Sequence, residues 1–324
     1  MKAAVVNSLG SKPVYTDFVD PEPAEGAVVA TVEAASLKNL DRSLIAGTHY
    51  ASGALTLPGV AGVDGVARLD DGSLVYTGAV APFGMMAERT LVNTAGAIEL
   101  PVGIDPVLAA AVPNPGLSAW LSLEYAAKIQ PGQCVLVLGA TGVTGSVAVQ
   151  LAKAQFGAGR VVVAGRNTDR LDWLRGVGAD DAIRLGTEDL ADRVAAEHRS
   201  HPFDVVLDYL WGAPAAQVLG ALGNSHLGLT YHATRFVQVG AMAGANLELP
   251  AGILRSAGIE LAGFGTGTVP AAAKARIPTE VLPTLLAMAA DGTLQLDAQR
   301  RSLQDVEELW DAPEASGTRL VLVP

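Results

Sequence analysis

Residues 134–153 read CVLVLGATGVTGSVAVQLAK, and the fold turns on them. Cys134 to Leu138 form a continuous apolar run, the pattern of a strand buried on both faces. The run leads through Gly139 into Ala140-x-Gly142-x-x-Gly145 and then into an apolar-periodic helix from Ser146 to Phe156. Glycine is required where a side chain would block a pyrophosphate or the close contact of strand and helix, and the helix N-terminus offers unpaired N–H groups to phosphate. Strand, glycine turn, helix and following strand make a dinucleotide-binding turn, with alanine in place of the first glycine. Ala140, Thr141, Gly142, Val143, Thr144 and Gly145 are its candidate cofactor contacts.

Downstream the same rhythm continues in RVVVAG (160–165), DAIRL (181–185), FDVVLDYL (203–210), RFVQVGA (235–241) and IELAGFG (259–265), with helix-length segments between. Six apolar strands with crossovers predict a complete doubly wound parallel sheet, a Rossmann domain. Upstream, short β-like runs at Ala3–Val6, Val28–Ala35, Gly65–Leu69, Ser73–Tyr76 and Arg89–Val92 are broken by Gly, Pro and Asp, with Asp70-Asp71-Gly72 as a hairpin turn. Pro113 and Pro115 precede a helical spacing through Leu117, Trp120, Leu121 and Tyr125, which marks the boundary. A helix near Val281–Ala290 and the runs Leu294–Leu303 and Arg319–Val323 are expected to return to the N-terminal β unit. The division expected is therefore 1–115 with 267–324, and 116–266.

The chain has 324 residues, half of them hydrophobic, enough for two cores. No apolar run approaches the roughly 20 residues of a membrane span. With 22 basic and 33 acidic residues the net charge is −11, and no basic cluster interrupts it, which argues against nucleic acid or an anionic membrane as partner. A single cysteine, Cys134, permits no internal disulfide, and no leader-like apolar stretch opens the chain; a cytoplasmic location is expected. None of the five histidines, His49, His198, His201, His226 and His232, forms a helix-face pair beside a third ligand, so no metal site is expected. Cys134 reads as core packing, and His49 beside Tyr50 as a possible proton donor.

The end of the second Rossmann strand chooses the cofactor. An NAD site wants an acidic residue there for the ribose 2′-OH, whereas this chain reads Ala164-Gly165-Arg166-Asn167. Gly165 leaves space and Arg166 can pair with a 2′-phosphate, with Arg170 as a second cation. NADPH is the cofactor expected. The plainer alternative is that Arg166 is a solvated loop arginine.

SLKNLDRSLIAGTHY, LPGVAGVDGVARL, PNPGLSAWLSL, VLGATGVTGSVAVQLAK and FDVVLDYLWG, in this order along nearly the whole chain, resemble the medium-chain dehydrogenase/reductase superfamily and its zinc-free quinone oxidoreductase branch. The resemblance implies a GroES-like, mostly-β catalytic domain beside the Rossmann domain. In zinc alcohol dehydrogenases of this superfamily a Cys opens the first stretch and a His-Glu pair follows the Pro-Gly of the second. Here Lys38 stands in the first stretch, and Val60 and Ala61 follow Pro58-Gly59.

Without a Lewis acid, conjugated acceptors are the easier substrates, because a quinone or enone spreads the charge that hydride transfer leaves behind. By similarity, an active-site cleft is lined by Lys38, Asp41 and Tyr50: Lys38 to support the developing oxyanion, Tyr50 beside the nicotinamide. The bland alternatives are a solvated lysine with Asp41 as surface partner, and a loop-filling tyrosine. The resemblance further implies cofactor contacts at Asn114 and Ser118 before the Rossmann domain. It places others at Asp208 and Tyr209, at Gly240 and Ala241, and at Phe264, Gly265 and Thr266, beside the candidates Gly165, Arg166, Asn167 and Arg170 read at the end of the second strand. The sixth strand is an apolar edge, and a homodimer pairing it is expected.

Two other readings remain open. An NADPH-binding redox sensor or interaction protein would bind cofactor with little turnover, and an alcohol dehydrogenase would need metal. Short-chain enzymes share GATGVTG but carry it near the N-terminus with a Tyr-x-x-x-Lys helix. Tyr125-Ala-Ala-Lys128 is one residue short of that motif.

Overall fold

The computed structural model describes residues 1–223 and 231–324. His226 therefore lies outside the described residues, as does the side chain of Thr266. The chain divides into two units, Met1–Asn114 with Pro278–Pro324, and Pro115–Ile277. The first boundary falls within a residue of the sequence expectation. The second falls later than expected, so that 267–277 belong with the second unit: Arg276 is anchored there by a 3.0 Å ion pair to Glu124, and Val269 is buried.

In chain order, the first unit opens with β1 (Lys2–Val6), β2 (Val14–Asp17), β3 (Ala27–Ser36), α1 (Asn39–Ile45), β4 (Gly59–Val60), β5 (Asp64–Arg68), β6 (Leu74–Gly78), β7 (Arg89–Asn93), β8 (Ile98–Glu99) and α2 (Pro106–Ala111). The hairpin between β5 and β6 closes as Asp70-Asp71-Gly72 suggests, with Leu69 N–H donating to Ser73 O and Gly72 at φ +87°. β3 is ten residues long because it serves three partners: β7 along Ala27–Thr31, β5 along Thr31–Ala34 with a register shift, and the C-terminal strand at Ala35–Ser36. β1, β2 and β4 form a separate three-stranded sheet.

α3 (Pro113–Leu121) follows and continues as a π-helical turn, Ser122–Ala127, that ends on Lys128 at φ +52°. The second unit then runs β9 (Cys134–Leu138), α4 (Val143–Ala154), β10 (Arg160–Gly165), α5 (Thr168–Gly176), β11 (Asp181–Arg184), α6 (Leu190–Ser200), β12 (Val205–Asp208), α7 (Gly212–Leu222), β13 (Ala233–Gln238), α8 (Ala251–Ser256), β14 (Gly258–Gly263) and α9 (Ala271–Ala275). All six strands are parallel in the order β11-β10-β9-β12-β13-β14. This is the doubly wound arrangement that the six apolar runs predicted. Leu136, Leu138, Val162, Val206 and Phe236 are wholly buried at its centre, which is why these strands read as unbroken apolar runs. The helix after the glycine turn starts three residues earlier than its apolar periodicity suggested, with Gly142 as its N-cap.

The return to the first unit comprises α10 (Leu282–Ala290), β15 (Asp297–Ser302), α11 (Val306–Leu309) and β16 (Thr318–Val323). β16 is inserted between β15 and β3, with Val321 opposite Ser36 and Leu322 opposite Ala35. The C-terminal strands thus complete a seven-stranded sheet begun near the N-terminus.

Candidate functional site

At the carboxyl end of the parallel sheet, the glycine turn is built as close packing demands. Gly139 lies at φ +81°, and its N–H and that of Ala140 both donate to Ala164 O, at 2.9 and 3.1 Å. A Cβ on Gly145 would come within 2.4 Å of Gly139 O and 2.7 Å of Ala140 Cα, so only glycine lets α4 sit this close to β9. Val143, Thr144 and Gly145 open α4, where amides have no carbonyl of their own helix to pair with. Thr141 is buried against the neighbouring strand end, where a Cβ on Gly165 would lie 2.3 Å from its Cγ2.

Beyond Gly165 the three expected contacts have separate fates. Arg166 is exposed and makes no hydrogen bond or ion pair among the described residues. Asn167 caps α5, its Oδ1 accepting from Arg170 N–H at 3.0 Å. The Arg170 guanidinium stacks over the Trp173 ring at 4.0 Å. Arg166 is thus the cation that a 2′-phosphate would find uncommitted.

At the ends of β12 and β13 the sequence expectation needs refining. Asp208 is wholly buried; its Oδ1 accepts from Leu210 N–H (2.8 Å) and Trp211 N–H (3.0 Å). Burial pushes its carboxyl up to about 6, against those two backbone donors. The side chain therefore fastens the following loop, where Trp211 and Gly212 hold φ of +55° and +60°. Tyr209 packs on Gly139, with its hydroxyl buried beside Ser122. A Cβ on Gly240 would lie 2.6 Å from Tyr209 O, so the two strand ends touch backbone to backbone. Ala241 is exposed. Phe264 N–H donates to Gln238 O at 2.8 Å, and the Gly265 turn is closed by Thr268 Oγ1, with Thr266 opening a short 3-10 helix. Asn114 and Ser118 lie four residues apart on one face of α3, both half-buried.

The first unit holds a cavity of about 230 Å3. Its wall is mostly apolar, including Leu44, Ile45, Leu55, Val60 and Phe83, and Asp41 is the ionisable residue on it. Lys38 and Asp41 are buried, neither solvated nor a surface pair: Lys38 Nζ lies 3.4 Å from Asp41 Oδ2 and 3.0 Å from Asp64 Oδ1. Burial alone would strip the Lys38 proton, but the two carboxylates outweigh it and raise its pKa. Tyr50 is 78% exposed, its ring against that of His49 with centroids 4.1 Å apart. Asp64 was missed by sequence reading, since its only signal is an acidic residue in GVDGV with no partner nearby in the chain.

The glycine turn, the β10 terminus and the doubly wound sheet together have the form of a dinucleotide-binding site. A family model described as zinc-binding dehydrogenase matches residues 143–286. "Probable NADPH-dependent quinone reductase tdiC" of Emericella nidulans is 26% identical over the whole of both chains. The chloroplastic NADPH-dependent alkenal/one oxidoreductase of Arabidopsis thaliana is 32% identical over 64% of this chain and 57% of its own. The chain spans about half the length of other curated relatives it matches. Among solved structures, the quinone oxidoreductase of Thermus thermophilus, also solved in complex with NADPH, is 28% identical and covers both chains fully with a TM-score of 0.79. In sequence and in fold the chain is thus similar to the quinone-oxidoreductase-like branch of the medium-chain dehydrogenase/reductase superfamily.

The residues fit a nicotinamide dinucleotide, since Gly145, Gly165 and Gly240 let the α4 N-terminus and the strand ends close together, the packing in which a Rossmann turn would present its amides to phosphate. They do not fit zinc. No group of three His, Cys, Asp or Glu converges among the described residues, and the positions that the resemblance matches to zinc ligands hold Lys38, Val60 and Ala61.

Proposed function

We propose that the protein is an NADPH-dependent, zinc-independent reductase of quinones or other conjugated carbonyls such as enones. The bound dinucleotide supplies the hydride, which passes directly to the acceptor. The observation that carries the cofactor choice is the β10 terminus: Gly165 without a side chain, no carboxylate, and the uncommitted Arg166 beside it. The apolar cavity of the first unit supports the acceptor class, because it offers no donor set for a metal and a surface suited to a flat, mostly hydrocarbon molecule. The names of the relatives point to the same chemistry.

The test is chelator-treated protein with NADPH and, separately, NADH, following loss of reduced-nicotinamide absorbance against quinones, enones and simple aldehydes. Turnover of the conjugated acceptors with NADPH is expected. Binding of NADPH without turnover of any acceptor would favour a redox sensor, and activity that disappears with chelator would favour a metal-dependent alcohol dehydrogenase. We further propose a cytoplasmic homodimer that pairs β14, one of the two edge strands of the parallel sheet, with its copy.

A further inference from the structure

Three elements of the first unit send polar groups to one buried point. Ser36 ends β3, Asp41 lies in the first turn of α1, and Asp64 opens β5. The Lys38 ammonium reaches Ser36 O at 3.0 Å, Ser36 Oγ at 3.2 Å, Asp64 Oδ1 at 3.0 Å and Asp41 Oδ2 at 3.4 Å. An ammonium has three protons, so four acceptors leave none to offer a substrate. Tyr76 on β6 and Arg319 on β16, both buried, flank the cluster, and Arg319 adds its charge to it. Asp41 meanwhile accepts from Lys38 N–H and Val63 N–H, both at 3.0 Å.

Two walls of the cavity are fastened to this cluster. One is α1, through Asp41 and the adjacent Leu44 and Ile45. The other is the segment from Gly59 to Val63, whose last amide is held by Asp41 and whose next residue, Asp64, is held by Lys38. Lys38 itself does not line the cavity. We propose that Lys38 is a positioning residue: its ammonium ties Asp41 on α1 to Asp64 on β5 and so sets the spacing of the walls that select the acceptor. The inference rests on reading this cavity as the acceptor site. Cutting the tie leaves a buried carboxylate without its counter-charge, and the walls move apart or rotate to hydrate it.

The kinetic signature separates this role from others. A wall that holds substrate and transition state alike acts on KM, whereas a group that touches the reacting oxygen acts on kcat. Steady-state kinetics of Lys38→Met, Asp64→Asn and the double variant, with 1,4-naphthoquinone and cyclohexenone as acceptors, should show KM raised about tenfold or more in Lys38→Met. Its kcat should change by less than about threefold. Asp64→Asn should raise KM as well, and the double variant should be no worse than Lys38→Met alone, since both cut one tie. Loss of kcat at constant KM, a fall in melting temperature alone, or additive KM effects would each overturn the proposal. Should Lys38→Met fail to fold, Lys38→Gln and Asp64→Asn carry the same comparison. If the wild type reduces neither acceptor, the function reading fails by itself, and the variants are compared by the naphthoquinone concentration that half-saturates the thermal shift. A wild type that also does not bind overturns both.

Discussion

Under the proposed choice of NADPH, Gly165 and Arg166 divide the recognition task at the end of β10. Gly165 cannot carry a side chain, because Thr141 already fills the space a Cβ would need. The strand end is thus bare backbone packed on Thr141, without the carboxylate that would repel a 2′-phosphate. Arg166 supplies the opposite charge from an exposed position where nothing else in the described residues claims it. Replacing Arg166 by Ala should weaken NADPH binding by about 1 to 3 kcal/mol, the worth of charge-assisted hydrogen bonds, and leave NADH almost unchanged. Titration of both cofactors by nicotinamide fluorescence decides it; equal losses would remove Arg166 from the site. Asn167 and Arg170 illustrate what a linear reading cannot see. Their residue types suit a phosphate, yet one is spent on a helix cap and the other on an aromatic face.

At the scale of elements, α6 and β13 meet through histidines at the end of the sheet opposite the glycine turn. His198, in the last turn of α6, accepts from Phe203 N–H through Nδ1 at 3.0 Å, and its ring lies edge-on to His232 of the segment leading into β13. Burial, and then the charge of His232, lower its pKa below the ordinary 6.5, although Asp204 nearby works the other way. His232 itself reaches Phe203 O and the Asp204 carboxylate. With the folded pKa below the unfolded one, the unfolded chain takes up this proton first as pH falls, so stability is lost below about 6.5. Thermal melts from about pH 7.5 down to pH 5 should fall more steeply in the wild type than in His198→Gln. Parallel curves would mean that His198 does not contribute.

On the scale of the whole molecule, the parallel sheet ends on a strand that has a partner on one side only. β14 pairs β13, and Leu261 on it remains 42% exposed. An apolar edge of this kind is a template for another strand, and covering it with its own copy is the arrangement that closes by symmetry. Light scattering should give twice the chain mass, and Leu261→Lys should shift the equilibrium to monomer while leaving the melting of dilute protein little changed. A monomeric wild type would end the dimer proposal.

How much was legible in the chain follows from what each feature depends on. The six parallel strands announce themselves because a strand buried on both faces must be apolar at every position, and a glycine forced by backbone contact cannot be hidden by substitution. These are local constraints, and Cys134–Leu138 with Gly139–Gly145 carry them in consecutive residues. The return of 318–323 to the N-terminal sheet was legible for the same reason. β4 and β8, two residues each, are too short to show a period, and the π-helical turn after Leu121 leaves none. The Lys38 cluster lay further out of reach. Its partner Asp64 is 26 residues away, and the difference between a solvated lysine and a buried tie is decided by whether β3, α1 and β5 converge. Consecutive residues therefore fix the parallel sheet, the glycine turn and a cation without a carboxylate after β10, since each is written in neighbouring positions. Which charges are spent inside and which stay exposed is a matter of the fold, because burial and pairing are properties of the space between elements.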